Sequence, residues 1–254
     1  MIVSHRHRFI FVKTRKTAGT SVEIALSKHC GPDDVITTFE EADEAIRTNL
    51  GFRGPQNYEM PRQTSSWRSR LRAFAGRSHA PLILRHHDPA TLIRDIVGGD
   101  IWDSYYTFAV ERNPHSKAVS RYYWERARTA RGDRGSRYAG LPIEEFLEHI
   151  PVRFLSDWPV YTDNDRVIVN RIIQFEQLQD GLDEVCAQIG LPPLSLPRAK
   201  SGNRPKQSHY SDVLNDRARE RINLVCAKEI RYFGYRRYDP VAENKAGERV
   251  RSSR

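Results

Sequence analysis

The stretch of residues 8–26 constrains the fold of this chain more than any other. It begins with a short apolar run, Phe9–Val12, that predicts a buried strand. A polar loop that carries lysines follows, and Gly19-Thr20-Ser21 then opens an apolar pattern with helical spacing. A strand, a tight loop and a helix N-terminus together present backbone N–H groups that have no partner within the helix, and such groups are suited to bind an anion. We therefore interpret this stretch as a phosphate-binding loop.

The side chains of this loop favour an anion but not a nucleoside triphosphate held by a metal. Two lysines and three hydroxyls surround the predicted helix start, namely Lys13, Lys16, Thr17, Thr20 and Ser21. A Walker A loop needs a glycine, four residues and then Gly-Lys-Ser/Thr, whereas here Lys16 precedes the glycine. The loop therefore fits a Mg²⁺-dependent kinase poorly. An ordinary strand-to-helix turn with surface lysines is the alternative.

Composition narrows the class of protein. The length of 254 residues suits one large domain, and 39% hydrophobic residues suffice for a core. A net charge of +9 points to an anionic partner such as a nucleotide, an acidic glycan, nucleic acid or a membrane surface, or else to solvated surface charge. Three widely spaced cysteines form neither a zinc pattern nor a disulfide framework, so we expect a reducing, cytoplasmic compartment. No apolar run has the length of a signal peptide core or a membrane span.

Four apolar runs alternate with helical patterns and predict an α/β fold with a mostly parallel sheet covered by helices. The runs are residues 9–12, 81–84, 105–110 and 167–173. We expect one domain over residues 1–240, with an irregular insertion at 47–79 and a disordered tail at 241–254. Ligands of such sheets bind beyond the carboxyl ends of the strands, where the sequence puts Lys16, His87 and Arg112.

A second phosphate-binding pair follows the third predicted strand. Arg112 ends that strand, Pro114 starts a helix, and Ser120 lies inside the helix. A guanidinium and a hydroxyl that converge are suited to hold a phosphate group. The alternative is that Arg112 bonds an acidic neighbour and Ser120 is simply a small helix residue.

These segments resemble the sulfotransferases that use 3′-phosphoadenosine 5′-phosphosulfate. Residues 16–21, Lys-Thr-Ala-Gly-Thr-Ser after an apolar strand, are similar to the family's 5′-phosphosulfate loop. Residues 102–114, continued through 120–123, are similar to its 3′-phosphate segment. Residues 175–178, Phe-Glu-Gln-Leu, and 233–235, Phe-Gly-Tyr, resemble two later elements. The match is closest to the carbohydrate-type, Golgi-like branch and its bacterial relatives, and it departs at Lys13 and Arg15, where that branch commonly has His and Pro.

The resemblance implies a P-loop-like, three-layer αβα fold and a sulfuryl transfer that needs no metal. It implies that Lys16 neutralises charge on the leaving phosphate and that Arg112 and Ser120 hold the 3′-phosphate. A basic segment near the last helix would reach the nucleotide. The residues that the resemblance assigns to the donor are Lys16, Thr17, Ala18, Gly19, Thr20, Ser21, Arg112, Ser120, Lys200, Ser201 and Arg204.

The acceptor hydroxyl needs a general base, for which His87 is the first candidate. The family often has His-x-x-Ala at this position, and here residues 87–90 read His-Asp-Pro-Ala. An imidazole titrates near neutrality, which suits this role. His86 is the rival, and Glu111 is a weaker candidate.

Sequence alone therefore favours a sulfotransferase that acts on a hydroxyl, with a carbohydrate as the expected acceptor. The arginine-rich segments would suit an acceptor that is itself anionic. Two other classes stay open, namely a P-loop-type kinase and a non-catalytic binder of polyanions or nucleic acid. We expect neither a specific nucleic-acid partner nor a membrane span.

Overall fold

The structure is a computed structural model that describes residues 1–60, 82–132, 137–197 and 210–236. The chain forms two compact units. The first comprises Met1–Val110, Pro159–Ile173 and Gln177–Ala199, and the second comprises Glu111–Trp158, Gln174–Glu176 and Lys200–Arg254.

The elements alternate between short strands and helices. The first part of the chain contains β1 (Ile2–Ser4), β2 (Phe9–Val12), α1 (Gly19–Ser27), β3 (Val35–Ile36), α2 (Glu41–Asn49), β4 (Glu59–Met60), β5 (Leu82–Ile83), α3 (Ala90–Val97), α4 (Gly99–Ser104) and β6 (Tyr106–Glu111). The remainder contains α5 (Pro114–Ala130), α6 (Ile143–His149), a 3₁₀ turn (Val152–Phe154), α7 (Trp158–Tyr161), β7 (Thr162–Asp163), β8 (Arg166–Val167), β9 (Arg171–Gln174), a second 3₁₀ turn (Phe175–Gln177), α8 (Leu178–Gln188), α9 (Tyr210–Val213), α10 (Asp216–Val225) and α11 (Ala227–Phe233).

A five-stranded sheet in the order β3-β1-β2-β6-β9 forms the centre of the fold. Strands β2 and β6 pair in parallel, with Phe9 opposite Tyr106 and Val12 opposite Ala109. Strand β1 runs antiparallel to both β2 and β3, so β2, β3 and β6 share one direction. The loops after β2 and β6 therefore leave the sheet at the same end of the strands.

The apolar sequence of β2 follows from its place inside the sheet. All four of its side chains are completely buried, which is expected of a strand covered on both faces. Helix α1 is buried along nearly its whole length, including Val22 and Leu26. Helix α8 packs closely on β9, since a Cβ at Gly181 would lie 2.4 Å from the Ile173 side chain.

The second unit has an apolar core built around α5. The buried face of α5 packs with α6 and α10, and the cluster comprises Ala118, Val119, Tyr122, Ile143, Phe146, Leu147, Ile150, Leu155, Leu214, Ala218, Ile222, Cys226 and Ile230. Helix α5 begins where the sequence predicts, because Pro114 occupies its first turn and the Asn113 side chain accepts bonds from the N–H groups of His115 and Ser116.

The prediction of a mixed α/β fold around a central sheet is confirmed, with most strands running in one direction and helices flanking the sheet. Strands β2 and β6 lie where the apolar runs predict them. Of the predicted insertion, residues 47–60 are described and include the end of α2 and all of β4. Residues 61–79 and the tail 241–254 lie outside the described residues.

Two strand predictions were wrong. Residues 81–84 do not add a buried strand to the central sheet, because β5 pairs with β4 in a separate two-stranded sheet and Ile83 is 47% exposed. His87 therefore does not follow a strand of the central sheet. The predicted strand at 167–173 is divided, since Val167 ends a hairpin with β7 and only residues from Arg171 onward join the central sheet. Sequence patterns also missed β1 and β3.

Candidate active site

The loop between β2 and α1 has an unusual backbone. Lys16 and Ala18 both adopt φ of 60°, in the left-handed region that residues other than glycine rarely enter. Ala18 is the N-cap of α1, and no side chain caps this helix end. Backbone of this kind persists only when its surroundings enforce it, and it is concentrated at ligand-binding sites.

Two threonines fix the loop from the inside. The Thr14 hydroxyl donates to the carbonyl oxygen of Val110, and the Thr17 hydroxyl donates to Thr14 Oγ1 at 2.8 Å. Thr17 is completely buried. Its hydroxyl therefore belongs to the internal structure of the loop, and the group that Thr17 would offer an anion is its backbone N–H.

The two lysines of the loop have different environments. Lys13 is 4% exposed, and its Nζ lies 2.9 Å from Glu23 Oε2 and 4.0 Å from the centre of the Phe39 ring. Gly19 leaves space for the Lys13 side chain, because a Cβ at position 19 would lie 2.8 Å from Lys13 Cγ. Lys16 is half-buried on the loop itself.

Glu23 keeps the Lys13 ammonium inside the protein. Burial by itself would raise the pKa of this carboxyl, but Lys13 and the amino group of Met1 outweigh that effect and hold the pKa below its ordinary value. Glu23 Oε1 also accepts from the Thr37 hydroxyl at 3.0 Å. Lys13 is thereby directed along α1. Of the two lysines in the predicted phosphate-binding loop, Lys16 is therefore the more exposed.

At the start of α1 the predicted site residues differ in exposure. Thr20 is half-buried, Ser21 is 6% exposed and Gly19 is buried. Since the first N–H groups of a helix have no partner within the helix, α1 directs its positive end toward this loop.

His87 contacts the same loop although it does not follow a central strand. Its Nδ1 lies 2.9 Å from the carbonyl oxygen of Lys13, which can only accept, so Nδ1 carries the proton. In the neutral ring Nε2 then carries the lone pair. Burial, the nearby Lys13 ammonium and His86 hold the pKa of His87 well below its ordinary value of 6.5. The His86 ring meets it edge-on, with 4.5 Å between ring centres.

In the second unit, Arg112 is fixed by a serine that sequence reasoning missed. Its Nε and Nη2 donate to Ser116 Oγ at 3.2 and 2.9 Å, and its guanidinium lies 4.3 Å from the centre of the Phe175 ring. Ser116 lies in the first turn of α5, whereas Arg112 precedes that helix, so helical spacing does not indicate the pair. Ser120 lies one turn further along the same face of α5 and is half-buried.

The segments of the second unit that carry the resemblance contact one another. Glu176 Oε1 accepts from the backbone N–H of Asn113 at 2.9 Å, and its Oε2 accepts from the Tyr235 hydroxyl at 3.1 Å. Burial and the nearby Glu176 raise the pKa of Tyr235, so the phenol keeps its proton. Phe175 and Glu176 thus brace the start of α5 together with Tyr235.

A buried cluster of charged side chains includes Glu111, the residue before Arg112. Lys117 Nζ is 2.8 Å from Glu111 Oε1 and 2.8 Å from Asp157 Oδ2, and these three side chains are at most 2% exposed. Burial raises the pKa of Glu111 to about 7, against the opposing effect of Lys117. Glu111 also accepts from the Arg112 backbone N–H at 2.8 Å. This enclosed side chain orients the backbone of Arg112. It is not placed to act as the general base on an acceptor hydroxyl.

The remaining predicted donor residues, Lys200, Ser201 and Arg204, lie outside the described residues. Within the described ranges, no group of three or more His, Cys, Asp or Glu side chains is arranged to hold a metal ion. In the same part of the chain, no helix combines the length and the apolar character needed to cross a membrane. Cys30, Cys186 and Cys226 are all buried free thiols.

Comparison with known proteins finds a relative in an archaeon. No protein-family model matches the chain, and no solved structure matches it. An uncharacterized protein from Archaeoglobus fulgidus is 36% identical over 107 residues, which cover 41% of this chain and 83% of that protein. The chain therefore belongs to the same family as this uncharacterized archaeal protein.

Proposed function

We propose that the protein is a sulfotransferase that moves a sulfuryl group from 3′-phosphoadenosine 5′-phosphosulfate to an acceptor hydroxyl. The observation that carries the proposal is the β2–α1 loop, in which Lys16 and Ala18 hold left-handed backbone beside the start of α1. Such a loop is suited to a phosphate, and its sequence is the one that resembles the family's 5′-phosphosulfate loop. A P-loop-like, three-layer αβα arrangement is part of the proposal.

The 5′-phosphosulfate would lie against the start of α1. The backbone N–H groups of residues 18–21 and the hydroxyls of Thr20 and Ser21 would bind the 5′-phosphate, while Thr17 would contribute its backbone. As the acceptor oxygen bonds to sulfur, the bond from sulfur to the phosphate oxygen breaks, and negative charge collects on that oxygen. Lys16 would neutralise this charge, which is the main requirement of a loose transition state of this type.

His87 would accept the proton of the acceptor hydroxyl. Its Nδ1–H is held by the Lys13 carbonyl, so the basic lone pair is on Nε2. Its lowered pKa keeps the ring neutral, and therefore able to act as a base, throughout the physiological range. His86 is the alternative base because its ring adjoins that of His87.

Arg112 and Ser120 would bind the 3′-phosphate, which distinguishes this donor from ATP. Ser116 and Phe175 orient the Arg112 guanidinium, and since Nε and Nη2 bond Ser116, the Nη1 end of the guanidinium would donate to the phosphate. Lys200, Ser201 and Arg204 would close over the nucleotide. We further propose that the enzyme is cytoplasmic and that its acceptor is a carbohydrate. The net charge of +9 would suit a carbohydrate that is itself anionic.

Competition between nucleotides tests this function. Adenosine 3′,5′-bisphosphate, the product of the donor, should bind the full chain in a calorimetric titration, and excess ATP with Mg²⁺ should displace it only weakly. Lys16→Ala should weaken binding about tenfold, since a charge-assisted contact is lost. The matched control is Lys28→Ala, which removes an exposed lysine at the other end of α1 and should leave the affinity unchanged.

The other two functional classes predict different results. A kinase would bind ATP with Mg²⁺ more tightly than adenosine 3′,5′-bisphosphate. A non-specific polyanion binder would lose affinity steeply with salt and would be insensitive to Lys16→Ala. Either result, or no binding of the bisphosphate by the wild type at millimolar concentration, would contradict the proposal.

A further inference from the structure

An open cavity of about 410 Å³ lies in the first unit, at the end of the sheet where β2 and β6 begin. Tyr106 lines it and pairs with Phe9, the first residue of β2. The β2–α1 loop leaves the other end of β2, after Val12. The cavity is therefore separate from the loop to which we assign the 5′-phosphosulfate.

The lining of this cavity is polar and cationic. Arg8 and His7 contribute the basic groups, and Ser104, Tyr105, Tyr106 and Asn170 contribute hydroxyl and amide groups. Gln188 and Ile189 complete the lining, and among the described residues that line the cavity none is an aspartate or a glutamate. The Arg8 guanidinium lies 5.9 Å from the centre of the Tyr105 ring, on an exposed side chain. Such a lining repels cations and attracts anions.

The turn that carries Arg8 is held rigidly. Asp34 is completely buried, and its two oxygens accept from the Ser4 hydroxyl at 2.9 Å and from the backbone N–H groups of His5 at 2.7 Å and Arg6 at 3.0 Å. Arg8 itself has φ of 52°, a left-handed conformation that costs energy for a residue with a Cβ. In a turn fixed in this way, little backbone entropy is lost when Arg8 binds a ligand.

Asn170 offers the cavity a donor. Its Oδ1 accepts from the backbone N–H of Thr107 at 2.7 Å and from the Thr107 hydroxyl at 2.8 Å. These bonds fix the orientation of the amide, so the group that Asn170 can offer to a ligand is Nδ2, which only donates. Arg8 and Asn170 together give the cavity donors for an oxyanion.

We propose that this cavity binds a sugar phosphate or sugar sulfate, that is, a small hydroxylated molecule with one tetrahedral oxyanion. Arg8 and Asn170 bind the oxyanion, and Ser104, Tyr105 and Tyr106 line the space for the sugar. The Tyr105 hydroxyl is hydrogen-bonded to His5 Nδ1 and the Ser104 hydroxyl donates to the Ile101 carbonyl, so the Ser104 oxygen would accept from a sugar hydroxyl. The volume exceeds what a bare anion needs and lies within the range of small-molecule sites. Because the lining carries many hydrogen-bonding groups, a hydroxylated ligand suits it better than an apolar one.

Further basic residues lie near the turn that carries Arg8. Burial first, and then the charges of Lys28, His7 and Arg6, hold the pKa of His29 below its ordinary value. Of these residues, Lys28 and Arg6 add positive charge near the cavity without lining it, which makes Arg6 a suitable control for Arg8.

Calorimetric titration of the full chain with glucose 6-phosphate, glucose 6-sulfate and glucose tests the proposal. At least one of the two anionic sugars should bind, and glucose should not bind measurably at the same concentrations. Arg8→Ala should weaken binding of the anionic sugar about tenfold or more, while Arg6→Ala, on the same turn, should change it less than about twofold. The relative affinities for phosphate and sulfate identify the oxyanion.

Asn170→Asp provides a second variant that keeps the fold. An aspartate retains an oxygen for both bonds from Thr107 and replaces the Nδ2 donor by a repelling oxygen, so binding of the anionic sugar should be lost while the thermal transition is preserved. Lys16→Ala should bind the sugar as the wild type does. The proposal is overturned if neither sugar binds, if Arg6→Ala weakens binding as much as Arg8→Ala, if Asn170→Asp binds like the wild type, or if Lys16→Ala abolishes binding.

Discussion

At the scale of single residues, the feature that matters most is the conformation of Lys16 and Ala18. Neither is a glycine, yet both have φ of 60°. The surroundings that impose this conformation are identifiable, since the buried Thr14–Thr17 pair ties the loop on one side and Lys13 crosses Gly19 on the other. In the function that we propose, the loop would thus be shaped before the ligand arrives, and a preformed site loses less entropy on binding.

His87 gives a prediction for pH dependence. Because its pKa lies below 6.5 in the folded protein and near 6.5 in the unfolded chain, the unfolded chain takes up its proton first as the pH falls. The free energy of unfolding should therefore decrease as the pH falls through 6.5, and His87→Gln should lack this part of the decrease. Chemical denaturation of both proteins between pH 8 and pH 5.5 measures the difference.

The ring of His87 can also be observed directly. In an NMR titration, its Cε1 resonance should stay at the position of a neutral imidazole as the pH is lowered past 6.5, with the resonance assigned by its absence in His87→Gln. A full titration of His87 centred near 6.5 would contradict the half-buried, Lys13-bonded geometry.

Residue types were easier to predict from sequence than residue environments. The sequence correctly indicates that residues 13–21 form a polar loop ahead of a helix, because hydrophobic periodicity and helix-start signals are local. It cannot show that Lys13 turns inward to Glu23, which lies ten residues further on, or that Ser116 holds Arg112. Such contacts depend on side-chain packing that only the assembled fold supplies.

At the scale of elements, the junction of β2 and α1 is sensitive to added volume. Gly19→Ala should lower the free energy of unfolding by about 1–3 kcal/mol, because the new methyl group would lie 2.8 Å from Lys13 Cγ and would displace its side chain from Glu23. Urea denaturation measures the change. The control is Gly54→Ala, where a Cβ has no heavy atom within 4 Å, and there the change should stay within about 0.5 kcal/mol. Equal effects in the two variants would contradict the packing described at Gly19.

Strands differed in how well the sequence predicted them. Strands β2 and β6 are buried on both faces and read as continuous apolar runs, so their prediction was correct. Residues 81–84 have the same apolar character, yet β5 pairs with β4 away from the central sheet. Strand β3 is only two residues long and too short for any periodicity to appear. Sheet membership depends on pairing between distant segments, which composition does not encode.

At the scale of the whole molecule, the chain has two compact units, and the proposed donor residues are divided between them. Residues 16–21 and His87 belong to the first unit, and Arg112 and Ser120 belong to the second. In the second unit, contacts among Arg112, Phe175 and residues around Glu176 link segments that are more than sixty positions apart. The order of these segments along the chain was readable from the sequence through the resemblance, but their contacts were not.

In the function that we propose, this chain recognises a nucleotide by its 3′-phosphate through Arg112. The most direct measurement is calorimetric titration of the wild type, Arg112→Ala and the control Arg153→Ala with adenosine 3′,5′-bisphosphate and with adenosine 5′-monophosphate. Arg153 is an exposed arginine of the same unit, so its removal matches the loss of charge. Arg112→Ala should weaken binding of the bisphosphate about 10- to 100-fold and leave the monophosphate unaffected, with no effect of Arg153→Ala on either. Equal weakening of both nucleotides by Arg112→Ala, or no weakening of either, would contradict a contact between Arg112 and the 3′-phosphate.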